Sequence, residues 1–189
     1  MTQRLTFLFF HPFFGVILFD AMRYPDFLKA FDLEKNEVWE QIIEWHNEHL
    51  IPYLDAISMV KQLHAAEIPL FIISNNPHSG CLLKLQRAGL ATLDGSIYFQ
   101  EIFGTNVCKG GKWSADFWKR CLDRTGFDFA QIAVIGDNPK EDCAIPRSLG
   151  VETVFLVNRT YENRIKVTPE ATQVNTLECV PEILFSKEN

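Results

Sequence analysis

Short polar stretches follow apolar runs in this 189-residue chain, and their side chains are of types that bind phosphate and magnesium. Ser74 and Asn75 follow one apolar run, and Asp137 follows another, with Asp142 a little further along the chain. Carboxylates are hard oxygen ligands that suit Mg²⁺, an ion that keeps several waters and shares phosphate oxygens with its substrate. These stretches therefore predict a site for a magnesium ion and a phosphoryl group.

Two of the turns share a pattern that opens a helix. Residues 74–77 read Ser-Asn-Asn-Pro and residues 136–139 read Gly-Asp-Asn-Pro, so each has a capping residue followed by proline, which is favoured at the first helical position. Helix N-termini aimed at one sheet edge present backbone N–H groups and positive dipole ends to an anion. Such an arrangement favours phosphate as the ligand, although two well-capped helices that bind no ligand would give the same sequence pattern.

A glycine-containing loop supplies candidate cations. Lys109 and Lys112 flank two glycines, which permit close approach, and an ammonium there can neutralise a phosphoryl oxygen. A solvated turn is the alternative interpretation for either lysine. The loop is not a Walker A motif, because Asn106 stands where its first glycine would be and Trp113 where a Ser or Thr would follow the lysine.

The elements that would position these residues alternate between strands and helices. Continuous apolar runs, typical of strands covered on both faces, predict strands at 5–10, 69–73, 97–103, 132–135 and 153–157, with a last one at Val174. Helical patterns predict helices at 56–66, 80–88, 115–124, 140–149 and 177–184, and residues 159–171 are predicted to be an irregular connection. This order predicts an α/β fold with a parallel sheet, whose carboxyl edge gathers the polar residues.

Residues 21–52 break the alternation, because Phe27, Phe31, Trp39 and Ile43 follow helical spacing directly after the first strand. We interpret this stretch as a small helical insert, placed as a cap over a site. The predicted division is therefore a core of residues 1–20 and 53–189 with a cap of residues 21–52.

Composition excludes several classes of protein. The formal net charge is −6 and no run of Lys or Arg forms a basic stripe, so we expect no nucleic-acid partner. The five cysteines are widely spaced without a Cys-x-x-Cys pair, which predicts neither a disulfide framework nor a zinc site and favours the cytoplasm. The apolar N-terminal stretch is interrupted by His11 and Pro12 and is short for a span, so we expect no membrane insertion. The sequence predicts no oligomeric state.

On these residues the chain resembles the haloacid dehalogenase-like (HAD) superfamily, mostly Mg²⁺-dependent phosphohydrolases. Residues 71–75, Phe-Ile-Ile-Ser-Asn, resemble its second motif, whose Ser or Thr binds the phosphoryl group. Residues 132–137 together with Asp142 resemble its fourth motif, GDxxxxD. Lys112 lies closest to the lysine of the third motif, although both prolines of the usual pattern are absent, and Lys109 is the second candidate.

The resemblance spans nearly the whole chain and implies a Rossmann-like, three-layer core with a small cap at residues 21–52. It implies a small phosphorylated molecule as the substrate and Mg²⁺ as the cofactor. The resemblance assigns catalytic roles to His11, Ser74 and Lys112. It assigns substrate binding to Ser74, Asn75 and Lys112, and metal binding to Asp137 and Asp142.

The first motif departs from the family pattern, which is DxD. His11 occupies the position of the nucleophilic Asp and Phe13 that of the acid/base Asp. Imidazole is a poor ligand for Mg²⁺, so we expect magnesium binding and phosphatase activity to be weak or lost. The alternative is a catalytically silent HAD-like module that binds a phosphorylated ligand or a protein.

Two further interpretations of this region stay open. Asp20, which follows residues 16–19, is the nucleophile of a displaced motif if the strand at residues 5–10 is redundant. His11 could instead carry a phosphoryl group itself, because histidine can act as a covalent nucleophile, although the sequence supplies no base to activate water.

Overall fold

A seven-stranded sheet forms the centre of the molecule. The computed structural model describes residues 6–9 (backbone only), 44, 51–92, 95–160 and 165–186. In chain order its strands are β1 Thr6–Phe9, β2 Leu70–Ile73, β3 Ala91–Thr92, β4 Gly95–Ser96, β5 Glu101–Phe103, β6 Ile132–Gly136, β7 Thr153–Val157, β8 Ile165–Val167 and β9 Thr172–Val174. The sheet order is β5-β2-β1-β6-β7-β9-β8, while β3 and β4 form a separate antiparallel pair.

The sheet register brings three strand ends together. β1 lies between β2 and β6 and is parallel to both, with Phe9 opposite Ile72 on one side and Ile135 on the other. The carboxyl ends of these strands therefore share one edge of the sheet. Ser74 and Asp137, which directly follow β2 and β6, therefore lie at that edge on either side of β1.

Helices cover both faces of the sheet. They are α1 Leu54–Ala65, α2 His78–Arg87, α3 Thr105–Cys108, α4 Ala115–Thr125, a π-helical segment Pro139–Ala144, α5 Ile145–Ser148 and α6 Cys179–Ser186. Alternate residues of β6 face opposite sides, because side chains along a strand point alternately up and down. Ala133 and Ile135 join the core under α1, α2 and α6, whereas Ile132 and Val134 join the core under α4. The predicted three-layer α/β fold with a parallel sheet is confirmed.

Helix α4 shows how the sequence sets this packing. Phe117, Trp118, Cys121 and Leu122 recur at helical spacing and are all fully buried, so they form one apolar face against the sheet. The helix ends at Gly126, whose φ of +75° is a left-handed conformation that glycine adopts without steric cost.

The structure corrects three predictions of local structure. The strand predicted at 97–103 is confined to β5, because the Ser96 hydroxyl accepts hydrogen bonds from Tyr98 N and Phe99 N and bends the chain there. The connection predicted at 159–171 contains β8, which pairs antiparallel with β9. The helix predicted at 140–149 is divided, because Pro146 has no N–H to continue the regular helical ladder.

The predicted cap lies almost wholly outside the described residues, the exceptions being Glu44, which is helical, and its last two residues, 51 and 52. The division into core and cap therefore stays a prediction. Within the described ranges, no helix is long and apolar enough to cross a bilayer.

The first turn of α1 is tied to the opposite end of the chain through Asp55. Its carboxylate accepts two hydrogen bonds from Arg159, at 2.8 and 3.1 Å, and others from Leu177 N and the Thr176 hydroxyl. The guanidinium of Arg159 also lies 3.7 Å from the centre of the Tyr53 ring. Burial raises the pKa of Asp55, but the hydrogen bonds from Arg159 and Leu177 N and the charge of Arg159 outweigh burial and leave the pKa below its ordinary value.

We expect Asp55→Asn to lower the free energy of unfolding by roughly 1–3 kcal/mol at neutral pH, because hydrogen bonds to a charged group are lost. Because the pKa of Asp55 is lower in the folded state, its ionised carboxylate stabilises the fold at pH values above the ordinary pKa of about 3.9. This stabilisation is lost as the pH falls through the lowered pKa. Urea unfolding at several pH values should therefore show wild type and variant converging in acid. Asp123→Asn, at an exposed ion pair with Lys119, is the control and should change stability little. A loss for Asp55→Asn that is the same at every pH would contradict the assignment.

Candidate functional site

The candidate site is built around the buried ammonium of Lys112, which the loop between α3 and α4 carries to the carboxyl edge of the sheet. Lys112 Nζ lies 2.7 Å from Asp142 Oδ1, and the two side chains are 5% and 0% exposed. The other oxygen, Asp142 Oδ2, accepts hydrogen bonds from Asp137 N at 3.2 Å and Asn138 N at 3.1 Å. Asp142 thus joins the lysine loop to the turn that follows β6.

Close packing behind this ion pair depends on Gly136, the last residue of β6. A Cβ at this position would collide with the side chain of Asp142. Glycine is therefore required for the carboxylate to lie against the turn. This gives a structural reason for the Gly-Asp pair that the sequence pattern singles out.

The pKa of Asp142 lies above its ordinary value, and burial of the carboxyl group is the main cause. The ammonium of Lys112 and the hydrogen bond from Asn138 N oppose that shift by favouring the ionised form. The ionised form of Asp142 is therefore stabilised by these two partners.

The backbone of Lys112 is also held in place. Lys112 N donates to Asn75 Oδ1 at 2.7 Å, and the Lys112 carbonyl accepts from the buried indole Nε1 of Trp118 at 3.0 Å. Asn75 Nδ2 in turn donates to Glu141 Oε2 at 3.0 Å. The side-chain amide of Asn75, predicted to bind substrate, therefore bridges the lysine loop and the segment after β6. The sequence did not indicate Glu141 or Trp118, since Trp118 reads only as an apolar helical position.

Ser74, predicted to bind the phosphoryl group, is buried at the end of β2. Its hydroxyl oxygen accepts hydrogen bonds from Asn76 N at 3.1 Å and Asn76 Nδ2 at 3.3 Å, and Ser74 N donates to the carbonyl of Phe103. These bonds fix the turn between β2 and α2. Helix α2 begins at His78 with Pro77 as its N-cap, one residue later than the sequence pattern predicted.

Asp137 is the carboxylate that is accessible to a metal. Its side chain is exposed, whereas both oxygens of Asp142 already accept bonds from protein groups. Within the part of the chain that the structure describes, no three His, Cys, Asp or Glu side chains converge on one metal position. One accessible carboxylate fits a hydrated Mg²⁺ that shares phosphate oxygens with a substrate, because this ion commonly binds through one or two carboxylates and keeps its waters.

Acidic groups lie close to Lys112. Asp142 pairs with its ammonium, the charge of Asp137 acts on Asp142, and Glu141 is bonded to Asn75, which binds the Lys112 backbone. A phosphate dianion that approaches without a cation would be repelled by these carboxylates. Binding of a phosphoryl group here is therefore expected to depend on a divalent cation.

The structure separates the two lysines of the loop. Lys112 reaches Asp142, whereas Lys109 is exposed, has a φ of +48° and lines a groove elsewhere on the surface. His11, Phe13 and Asp20 lie outside the described residues, so their roles stay predictions.

Comparison with known proteins relates this geometry to a family. A family model described as haloacid dehalogenase-like hydrolase matches residues 10–156. A search of the curated proteins finds no match to this chain. The solved structure of a HAD phosphatase from Thermococcus onnurineus shares 25% sequence identity at a TM-score of 0.67, and the alignment covers 86% of this chain and 70% of that one.

Two more distant structures share the fold. YfnB from Bacillus subtilis, a protein assigned as a HAD hydrolase and bound to magnesium, is 15% identical with a TM-score of 0.66, over 97% of this chain and 99% of that one. An L-2-haloacid dehalogenase from Xanthobacter autotrophicus, with chloropropionic acid covalently bound, is 17% identical with a TM-score of 0.60. The alignment covers 84% of this chain and 71% of that one. At these identities the likeness extends to the fold alone.

Proposed function

Because the chain belongs to the haloacid dehalogenase-like hydrolases, we propose that it binds the phosphoryl group of a small phosphorylated molecule at the carboxyl ends of β2 and β6, and hydrolyses it slowly if at all. The observation that carries this proposal is the buried ammonium of Lys112, which Asp142 binds, on a backbone that Asn75 and Trp118 hold at that edge. To turn out to solvent, the side chain would have to break its ion pair and leave the buried carboxylate of Asp142 behind. It is therefore preorganised to offset charge on a phosphoryl oxygen.

The described residues take separate roles in this proposal. Lys112 contacts the phosphoryl group, and Ser74, buried at the end of β2, is the second phosphoryl-binding residue. Asp142, through both its oxygens, positions Lys112 and the turn after β6 rather than binding metal. Asp137 would hold Mg²⁺, which when bound supplies positive charge against the phosphoryl oxygens.

Hydrolysis is expected to be slow because of two residues of the first motif. The family pattern has a nucleophilic Asp and an acid/base Asp where this chain has His11 and Phe13. Phenylalanine cannot move a proton, and general acid–base help is typically worth ~10²- to 10⁴-fold. The same two residues favour the second candidate function, a silent module that binds a phosphorylated ligand or a protein. Turnover of phosphomonoesters distinguishes the two.

Anion binding tests the proposal directly. We expect calorimetry with phosphate or tungstate to show binding at millimolar anion that is stronger with Mg²⁺, because carboxylates outnumber the ammonium at the site. Asp137→Asn should remove the magnesium-dependent part without unfolding the protein, since this side chain is exposed. Glu152→Gln, an exposed carboxylate just before β7, is the matched control. If millimolar anion gave no heat of binding and did not change the melting temperature of the protein, the proposed pocket would be contradicted.

A further inference from the structure

Two of the five cysteines lie on either side of the loop that carries Lys112, and the proposed function uses neither of them. Cys108 is the last residue of α3, and Cys121 lies on α4, which follows the loop. All five cysteines are buried free thiols, so this is the reduced form of the protein. The spacing of these two residues matches no cysteine motif, so their relation is visible only in the fold.

The contacts between the loop and α4 bring the two cysteines side by side. Arg120 Nε donates to the carbonyl of Cys108 at 2.9 Å, so the residue before Cys121 is bonded to the backbone of Cys108. A Cβ at Gly110 would lie 3.6 Å from Phe117 Cβ. These two contacts show that the segments run in opposite directions. Two residues back along the loop and one turn on along the helix are similar distances, about 6 Å each, which places Cys108 against Cys121.

The two thiols also act on each other. Both side chains belong to one buried apolar cluster between α4 and the sheet. Burial raises the pKa of Cys121, and Cys108 raises it further through a side-chain hydrogen bond and its charge, whereas the charges of Arg120 and Arg124 lower it. A side-chain hydrogen bond between two thiols brings their sulfur atoms to the close approach that disulfide formation requires.

Cys108 is the member of the pair that an oxidant would meet first. It is 4% exposed, whereas Cys121 is 0% exposed. Cys108 also lines a groove of about 530 Å³ beside α4, together with Lys109 and Arg120. Oxidants react with the thiolate form of cysteine, and neighbouring cations stabilise a thiolate. A small oxidant that enters the groove would therefore reach Cys108 before Cys121.

We propose that Cys108 and Cys121 form a redox-active pair, in which hydrogen peroxide or a small organic hydroperoxide oxidises Cys108 and Cys121 then forms a reversible disulfide with it. This proposal does not depend on the proposed phosphoryl site. The disulfide closes a ring of residues 108–121 that includes Lys112. Oxidation would thus tie the start of the lysine loop to α4.

The reaction balances in two steps. In the first step the sulfur of Cys108 attacks one oxygen of hydrogen peroxide, so an S–O bond forms and the O–O bond breaks. The second oxygen leaves as water with the thiol proton, and Cys108 becomes a sulfenic acid. In the second step the sulfur of Cys121 attacks that of Cys108, the S–S bond forms, and the hydroxyl group leaves as water with the proton of Cys121. The two thiols give up two electrons, and the peroxide accepts them.

Peptide mapping of the full chain after treatment with hydrogen peroxide tests this proposal. Trypsin separates the two cysteines, because it cleaves after Lys109 and Arg120. We expect a non-reducing digest to contain the two cysteine peptides joined, with two hydrogen atoms fewer than the separate thiol peptides, and we expect dithiothreitol to part them. The proposal is overturned if Cys108 stays reduced, if it oxidises without joining Cys121, or if it joins mainly another cysteine.

Two variants check the order of the steps. Cys121→Ala removes only the second step, so Cys108 should accumulate as a sulfenic acid, which dimedone traps. Cys143→Ala removes another buried thiol of the same cluster and is the matched control, in which the disulfide should form as in wild type. Equal loss of the joined peptides in the two variants would contradict the pairing.

Thermal melting distinguishes a bond made in the folded protein from one made in unfolded molecules. A disulfide that fits the fold acts mainly by restraining the unfolded chain, so the oxidised protein should melt roughly 5–10 °C above the reduced protein. Dithiothreitol should reverse this shift, and peroxide-treated Cys121→Ala should not show it. An unchanged or lower melting temperature of the joined protein would show that the two thiols are not positioned as a pair in the fold.

Discussion

Lys112→Met should lower the free energy of unfolding by roughly 3–5 kcal/mol, a large fraction of the stability of a domain of this size. The reason is that the substitution leaves the carboxylate of Asp142 without its ammonium partner. Asp142 is completely buried, and without the ammonium the groups left to bind its carboxylate, among the residues that the structure describes, are the backbone N–H groups of Asp137 and Asn138. Methionine fills a similar volume, so the loss reports the uncompensated carboxylate rather than a cavity. Urea unfolding of the full chain measures it.

Two matched variants check this interpretation. Lys119→Met removes the lysine of an exposed pair with Asp123, whose side chains are both more than half exposed, and should cost less than about 0.5 kcal/mol. Lys112→Met/Asp142→Asn removes the buried charge as well and should recover a large part of the loss. If Lys112→Met costs no more than Lys119→Met, the buried ion pair is absent in solution.

The cost of Lys112→Met should also depend on pH. Burial raises the pKa of Asp142, and removal of the ammonium raises it further. A carboxyl with a raised pKa binds its proton more tightly in the folded state, so stability falls as pH rises from about 3.9 through the raised value. The variant should therefore be closest to wild type in acid and furthest from it at neutral pH.

Much of the fold was readable from the sequence because its signals are local. The apolar runs that became β2 and β6 are continuous, and Gly126 ends α4 within the same stretch that defines the helix. The polar residues after these strands were then placed together by one general rule, that parallel strands share a carboxyl edge. Strand β8 was missed because its short sequence, Ile-Lys-Val, is exposed and has no apolar run to mark it.

The arrangement within the site could not be predicted in the same way. Asn75 and Glu141 are 66 residues apart, and nothing local to either residue indicates that they are bonded. The spacing of Asp137 and Asp142 predicted two carboxylates near the edge, but not that one faces solvent and the other faces a lysine. That difference depends on Gly136, against which the side chain of Asp142 packs. The resemblance to a family selected Lys112 from the two lysines of the loop, and the structure shows that this lysine reaches Asp142.

Lys112 is held by Asn75, Trp118 and Asp142, and substitutions at His11 and Phe13 leave all three of these residues in the chain. The first motif can therefore be changed while the residues of the proposed phosphoryl site are kept. Restoring the family's carboxylates there becomes a direct test of why turnover is expected to be slow.

We expect His11→Asp/Phe13→Asp to raise the turnover of generic phosphomonoesters by about 10²-fold or more in the presence of Mg²⁺. One carboxylate supplies the nucleophile that the family pattern requires, and the second supplies acid–base help typically worth ~10²- to 10⁴-fold. His11→Asp alone should therefore give a smaller rise, and His11→Ala should give none. Steady-state release of phosphate measures each rate, and urea unfolding checks that a new carboxylate has not destabilised the protein.

The opposite results would assign the nucleophile elsewhere. Wild-type turnover near ~1 per second, within the usual range for enzymes, that is abolished by Asp20→Asn but survives His11→Ala would make Asp20 the nucleophile of a displaced motif. Turnover abolished by His11→Ala, with an acid-labile phosphoryl group trapped on the protein, would make His11 the nucleophile. A folded His11→Asp/Phe13→Asp variant that binds phosphate but gains no activity would show that the missing carboxylates are not what limits hydrolysis, and the silent binding module would then be the better description of this chain.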